Sequence, residues 1–244
     1  MRVAVLSDIH GNLPALEAVL EQVARETPDL VVVCGDVASG PLPVETLTVL
    51  MALPDVRFLH GNADRSLVAG FDGSAKPRLA GPAADWCAAQ LSKEHRDFLA
   101  SFPAEVRLEI DGLGRVLFCH GSPRGDEEMM TAATPEDRLR EFTAGSETDV
   151  IVCGHTHMQF DRTVDGVRIV NPGSVGMPYG EPGAYWASLG PDVDFRRTDY
   201  DRESAASRIG KSSWPDAAGF ARDNVVSVPS VADAMEFFRK HGGP

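Results

Sequence analysis

A chain of 244 residues with 43% hydrophobic and 24% charged residues has an ordinary globular composition, long enough for a sizeable core in one or two domains, of which one is the simpler reading. Its formal net charge of −13 argues against bulk nucleic-acid binding, which needs a basic footprint to displace counterions, and against docking on anionic lipid through basic patches. A small phosphate ester is still compatible with this charge, provided that bound divalent cations reverse the field locally.

Arg2–Leu6 reads as a buried strand. Asn12 is placed to cap a helix with Pro14 in its first turn and Leu16, Val19, Leu20 and Val23 on one face, and Pro28 lies just past its end. Leu30–Cys34 is a second strand, Pro43–Met51 a helix and Val56–Leu59 a third strand, an alternation that predicts βαβ units in a largely parallel sheet. Two helices follow over Pro82–Gln90 and Lys93–Ser101, the second capped by Ser92. The pattern then turns to hairpins. Val106–Ile110 and Arg115–Cys119 flank Asp111-Gly112-Leu113-Gly114, and Phe160–Val164 and Val167–Val170 flank Asp165-Gly166. A helix near Glu136–Phe142 and a strand over Val150–Cys153 lie between them, and Ala184–Leu189 with Val193–Arg197 suggests a third hairpin. Two sheets packed face to face with helices outside accommodate both halves.

Beyond Asp201 the periodicity weakens. A helix is expected over Arg202–Ile209, a loop over Gly210–Asn224 and an amphipathic helix over Ala232–Lys240. The chain is therefore divided into one domain over residues 1–200 and a C-terminal extension over 201–244, packed on the domain or partly flexible. No apolar run approaches the ~18 residues of a membrane span, and Val3–Leu6 is too short for the apolar stretch of a signal peptide. Cys34, Cys87, Cys119 and Cys153 form no CxxC pair, and three of them close apolar runs, so they read as buried thiols of a protein in a reducing cytoplasm.

Five short motifs sit just after the predicted strands: Asp8-Ile9-His10, Gly35-Asp36, Gly61-Asn62-Ala63-Asp64, His120-Gly121 and Gly154-His155-Thr156-His157. Each puts an oxygen or nitrogen donor at a strand end, where open α/β sheets build their sites, and the glycine beside it lets the backbone turn tightly. Any one motif is common in capped turns. The ordered set, holding four of the chain's seven histidines, is far more specific. Mixed imidazole, carboxylate and amide donors suit borderline transition metals, and two such ions can clamp the attacking and leaving oxygens of a displacement at phosphorus.

In this order the motifs resemble the calcineurin-like metallophosphoesterase superfamily, whose pattern runs DxH, GD, GN(H)D, H and GHxH. The resemblance covers roughly residues 2–176 and includes Asn171-Pro172-Gly173-Ser174, a turn found after GHxH in the small bacterial, phosphodiesterase-like branch. It implies a four-layer α/β/β/α sandwich and a hydrolase that attacks phosphate esters in line with a hydroxide bridging two divalent metal ions, manganese first and iron, zinc, nickel or cobalt as alternatives. Asp8, His10 and His157 would hold one ion, Asn62, His120 and His155 the other, and Asp36 both. Ala63 departs from the family, which has there a histidine assigned to proton donation or transition-state contact. Asp64 is then the remaining catalytic candidate, and Asn62 a substrate contact as well as a ligand. General acid catalysis contributes about 10²–10⁴-fold, so its loss favours phosphodiesters or esters with good leaving groups. The alternatives are a catalytically weak interaction scaffold on the same fold, a protein phosphatase and a nucleotide pyrophosphohydrolase. The oligomeric state is left open.

Other residues have two readings. Arg124 follows His120-Gly121-Ser122-Pro123 and is either a phosphate contact or an exposed loop arginine. Asp126-Glu127-Glu128 reads as a solvated face rather than a cleft mouth, His60 as a structural histidine, and His95 and His241 as surface residues of helices. Met177 and Tyr179 either line a substrate pocket or pack at a rim.

Overall fold

The structure is a computed structural model that describes residues 1–75 and 83–241. Pro82, the expected start of one helix, and the side chain of His241 lie outside the described residues.

Strands that are apolar on both faces must be covered on both faces, and the strands obey this rule. They are β1 (Val3–Leu6), β2 (Leu30–Val33), β3 (Val56–Phe58), β4 (Glu105–Ile110), β5 (Gly114–Cys119), β6 (Val150–Val152), β7 (Phe160–Val164), β8 (Val167–Asn171), β9 (Ala184–Leu189) and β10 (Val193–Thr198). One five-stranded sheet has the order β10-β9-β1-β2-β3, the other β4-β5-β6-β8-β7. In the first, β1, β2 and β3 are parallel and β9 runs antiparallel to β1. In the second, β5, β6 and β8 are parallel, with β4 and β7 antiparallel at the edges.

The two-residue period of a strand assigns each side chain to a layer. Val3, Val5, Val32 and Cys34 face the other sheet and pack on Val116, Phe118, Val150 and Val152. Ala4, Leu6 and Val33 face outward, onto α1 (Leu13–Glu26), α2 (Pro43–Met51) and the helices α4 (Ala83–Gln90) and α5 (Lys93–Ala100). On the opposite outer face Leu117, Cys119, Ile151 and Cys153 pack on Leu139 and Phe142 of α6 (Glu136–Thr143). The result is the four-layer α/β/β/α sandwich. All four cysteines are free and buried, and burial pushes their thiols upward, that of Cys87 to about 12. No helix among the described residues is long and apolar enough to cross a membrane.

Two segments differ from the sequence expectation. Gly61-Asn62-Ala63-Asp64 is the N-terminus of a helix, α3 (Asn62–Asp72), rather than a bare turn. Asp64 reaches back to accept from Gly61 N at 2.9 Å, as an acidic third residue does in a capping box, while Leu67 and Ala69 are buried. Its apolar stripe is short and contains Gly70, so periodicity alone hides it. The expected loop Gly210–Asn224 contains α8 (Ala217–Ala221), followed by a π-helical turn over Arg222–Val226. Asp216 caps α8 by accepting from Gly219 N at 3.1 Å, and Phe220, Ala221 and Val225 join Ala205 and Ile209 of α7 (Arg202–Gly210) in the outer core of the first sheet. Burial overrides the Gly, Ser and Pro content around that short helix. The last helix, α9 (Val231–His241), packs Ala234 and Phe238 on Met129, beside Met158, Tyr179 and Met235.

Candidate metal centre

Asp8 follows β1, Asp36 follows β2, Asn62 follows β3, His120 follows β5, and His155 and His157 follow β6. Parallel strands bring these loops to one edge of the sandwich. The backbone there is under strain. Nine non-glycine residues among those described have positive φ, and five of them are Asp8 (55°), His10 (50°), Asp36 (54°), His155 (65°) and His157 (58°). The left-handed region costs about 1–2 kcal/mol per residue, so such clustering marks a functional site rather than an accident of the chain. The neighbouring glycines are there because nothing else fits. A Cβ on Gly61 would lie 2.0 Å from Asp36 Oδ1, and one on Gly154 would lie 2.0 Å from Ser7 Oγ and 2.8 Å from Asp8 Oδ2.

The donors converge as two triads, Asp8, His10 and His157, and Asp36, His120 and His155. His157 Nε2 lies 3.1 Å from Asp8 Oδ1, and the Nε2 atoms of His10 and His157 lie 3.2 Å apart. Asp36 Oδ2 lies 3.3 Å from His120 Nε2 and 3.7 Å from His10 Nε2, so this one oxygen faces both triads.

Supporting hydrogen bonds leave one face of each donor free. Asp8 Oδ2 accepts from Ser7 Oγ at 2.6 Å and His155 N at 3.1 Å, and Asp36 Oδ1 accepts from Ala63 N at 2.8 Å. The Nδ1 atoms of His10, His120 and His157 face the carbonyls of Ser39, Cys34 and Met177 at 3.2, 2.7 and 2.7 Å. A carbonyl only accepts, so each Nδ1 carries a proton and Nε2 is the ring atom turned inward, free to ligate an ion once it is deprotonated. Asp8 Oδ1, Asn62 Oδ1, His120 Nε2 and His155 Nε2 are buried without a hydrogen-bond partner. An orphaned buried polar atom costs about 1–3 kcal/mol, and three of these belong to residues of the two triads, which fits a site made for cations.

The field agrees with that fit. Burial works against every charge here, but the His120, His10 and His155 imidazoles hold Asp36 far below the usual carboxylate range. Burial alone would discharge His120, but the Asp36 and Asp8 carboxylates overcome it and raise its imidazole to about 10. Burial, then repulsion from His120, lowers His155 to about 4.

The Asn171-Pro172-Gly173-Ser174 turn ties the floor together. Asn171 Nδ2 donates to Gly154 O at 2.7 Å, and Ser174 Oγ donates to Asp8 O at 2.7 Å. Asp64 is buried below the donors. Its Oδ2 accepts from Asp36 N at 2.8 Å and Gly61 N at 2.9 Å, and its Oδ1 from Val37 N at 2.9 Å. With both oxygens engaged by backbone amides it ties the Asp36 loop to the Gly61 loop. Ala63 is buried beside it.

The residues with two readings form the flanks. Asp126 is not part of a solvated face, because its side chain is only 12% exposed and is held by Arg65 Nε at 2.5 Å and His60 Nδ1 at 3.3 Å. Burial opposes that charge, but His60 and Arg65 keep the carboxyl well below its ordinary range. Glu128 is likewise engaged, by Ser122 Oγ and by Arg124 Nη2 at 3.2 Å. Arg124 Nη1 donates to Glu141 O at 3.3 Å, and Arg124 borders a cavity of about 240 Å³ that reaches His120. His95 is half-buried and acts inside its helix, where its Nδ1 accepts from Ser92 N at 3.2 Å. On the other flank, the Tyr179 ring stacks on His157 with centroids 5.7 Å apart. Sequence reasoning missed the support given by Ser7 and Asn171, and the pairing of His60 and Arg65 with Asp126. Their signal was adjacency to the motifs.

Residues 1–189 match the calcineurin-like phosphoesterase superfamily domain. The chain belongs to that superfamily and is a metallophosphoesterase. It is 29% identical to the phosphodiesterase YfcE of Escherichia coli, over 79% of this chain and 89% of that one. It is 27% identical to an uncharacterized protein of Methanocaldococcus jannaschii, over 89% and 95% of the two chains. Among solved structures, a metallophosphoesterase from Sphaerobacter thermophilus superposes with a TM-score of 0.74 at 26% identity, covering 93% of this chain and 98% of the other.

Proposed function

We propose that this metallophosphoesterase hydrolyses phosphodiesters, or phosphate esters with good leaving groups, at a centre of two divalent ions. The observation that carries the reading is the convergence of two donor triads, with three of their buried donor atoms, Asp8 Oδ1, His120 Nε2 and His155 Nε2, left without a hydrogen-bond partner. In this reading Asp8, His10 and His157 hold one ion and Asn62, His120 and His155 the other. Asp36 serves both, as its shared distances to His10 and His120 suggest. Divalent ions in that position would lower the pKa of water and offset charge on the phosphate. Mixed nitrogen and oxygen donors favour a borderline metal, with manganese the first choice and iron, zinc, nickel and cobalt the alternatives.

The preference among esters follows from what the chain lacks. Ala63 supplies no proton donor, and Asp64 has both oxygens bound to backbone amides. A leaving group must then depart without a proton from this loop, which favours aryl esters and diesters of comparable leaving ability. The similarity to a protein named as a phosphodiesterase agrees with that preference. Four free, buried thiols agree with residence in a reducing cytoplasm.

The test is turnover of bis(4-nitrophenyl) phosphate by protein whose manganese content has been measured. Wild type should hydrolyse it, and Asp36→Asn should not. No turnover by verified metal-loaded protein with any divalent ion would overturn the reading in favour of a non-catalytic role.

A further inference from the structure

The flank beside His157 is a cavity of about 360 Å³, bounded by Met158, Phe160, Tyr179, Tyr185, Val231 and Met235 and reaching the His157 ring itself. It starts at a donor of the metal centre, because Tyr179 stacks on that ring with an interplanar angle of 29°.

Its chemistry is narrow. Apart from the His157 imidazole, no residue lining it has an ionisable acid or base that is charged at neutral pH. Two of its polar side chains are turned to the protein. Gln159 Nε2 faces the carbonyls of Pro172, Trp186 and Arg196 at 3.1, 3.1 and 3.0 Å, and Tyr185 Oη donates to Glu181 O at 3.0 Å. A second phosphate or a charged peptide would lose its hydration there and find no lysine, arginine or carboxylate in the lining to replace it, whereas an apolar group loses nothing. Thioethers from Met158 and Met235 adapt to irregular shapes and make favourable contacts with rings. Val231 and Met235 come from α9, beyond residues 1–189 that match the superfamily domain, so part of this wall is supplied by the C-terminal segment.

Resting on the phosphodiesterase reading, we propose that this cavity is the subsite for one ester arm of the substrate, and that the arm it takes is uncharged and apolar, best filled by an aromatic ring. A diester whose phosphate sits at the donors has one arm within reach of Tyr179 and Met235. Substrates with a second phosphate in that arm are selected against.

The experiment compares phenylphosphonate with methylphosphonate, neither of which turns over, by titration calorimetry on protein with verified metal content. Burying a ring should make phenylphosphonate bind about tenfold tighter or more. Val231→Asp places a carboxylate at the rim, and Ala133→Phe fills the space. Both positions are exposed, so folding is not at stake. Each should bring the affinity ratio to within about threefold of unity. The ratio of kcat/KM for bis(4-nitrophenyl) phosphate over methyl 4-nitrophenyl phosphate, which share a leaving group, should collapse in parallel. Equal affinities in the wild type, or a preference that both variants retain, overturn the subsite and leave the phosphodiesterase reading standing. Failure of both phosphonates to bind loaded protein sinks the phosphodiesterase reading and the subsite with it.

Discussion

The two flanks of the donor cluster follow opposite rules. On the His120 side, Arg65 pairs with Asp126 and Arg124 with Glu128, and His60 Nδ1 lies 3.3 Å from Asp126, all contributed by residues close in sequence to donor motifs. On the His157 side, Tyr179, Met158 and Met235 form an apolar wall, partly contributed by a helix that starts 74 residues after His157 (Val231 minus His157). The floor between them is strained, charged and short of hydrogen-bond partners. Such a floor is suited to cations and phosphate whatever the rest of the molecule looks like. The flanks are where two enzymes with the same floor diverge in what they accept.

The largest effect is expected on the floor. Asp36→Asn removes the one oxygen that faces both triads, and kcat should fall by about 10²–10³-fold or more, the usual loss for a single electrostatic stabiliser in a dry site. Metal analysis of the purified variant should show less than the wild-type content. Full occupancy with full activity would mean that the two triads work independently.

Asp64→Ala separates support from chemistry. Backbone amides of Asp36, Val37 and Gly61 would lose their acceptor, at about 1–3 kcal/mol for each buried group left unsatisfied, so a marked drop in denaturation midpoint is expected. Asp64→Asn keeps one acceptor oxygen and should recover part of that stability. A variant as stable as the wild type but unable to turn over substrate would return Asp64 to a direct part in the reaction.

These two residues also show what the sequence makes legible. Asp36 stands beside a strand-end glycine, a setting common in capped turns, and it is the order of five such motifs that makes the floor legible. Asp64 is a catalytic candidate because it sits in a motif, and the structure adds that its carboxylate accepts three amides of its own and a neighbouring loop. Only coordinates reveal where a carboxylate's lone pairs go. The layer architecture was legible because βαβ alternation in the first half gives way to hairpins in the second, which calls for two sheets, and the family resemblance implies their four-layer order. The helix α3 was not, since its N-terminus coincides with a donor motif and its apolar stripe is short. The apolar wall was least visible of all, because Tyr179 and α9 meet at His157 through tertiary packing that no local pattern encodes.

Restoring the family histidine, as Ala63→His, tests whether the polar flank is tuned to the missing acid. Turnover of alkyl phosphate monoesters should rise, by about tenfold, the lower part of the range for general acid catalysis once an imperfect fit is allowed for. Aryl diesters should change less, because their leaving groups need no proton. Equal acceleration of both would show that the imidazole acts by contact with the phosphate.

The pH dependence of metal binding has a definite sign. The carboxylates raise His120 to about 10 in the protein without metal, so at pH 7.5 its imidazole carries a proton that an ion must displace. Affinity therefore increases as pH rises toward that value and falls as pH drops, and binding releases protons. Calorimetry in two buffers of different ionisation enthalpy should give different apparent heats at pH 7.5. Identical heats would mean that the donors are already deprotonated.

The smallest effect is expected at Arg124. It borders the cavity that reaches His120, which is the geometry of a phosphate contact. Its guanidinium, however, is shared between Glu128, at 3.2 Å, and Glu141 O, at 3.3 Å, and the ring of Phe142 lies 5.7 Å from its centre. An arginine that binds substrate phosphate from this position must first give up a half-exposed ion pair, worth about 0–1 kcal/mol, and the net gain is small. Arg124→Ala should therefore change KM by about threefold or less, with kcat preserved. An increase of tenfold or more would show that the ion pair opens for substrate, and the polar flank would then be a second binding wall rather than a brace for the His120 loop.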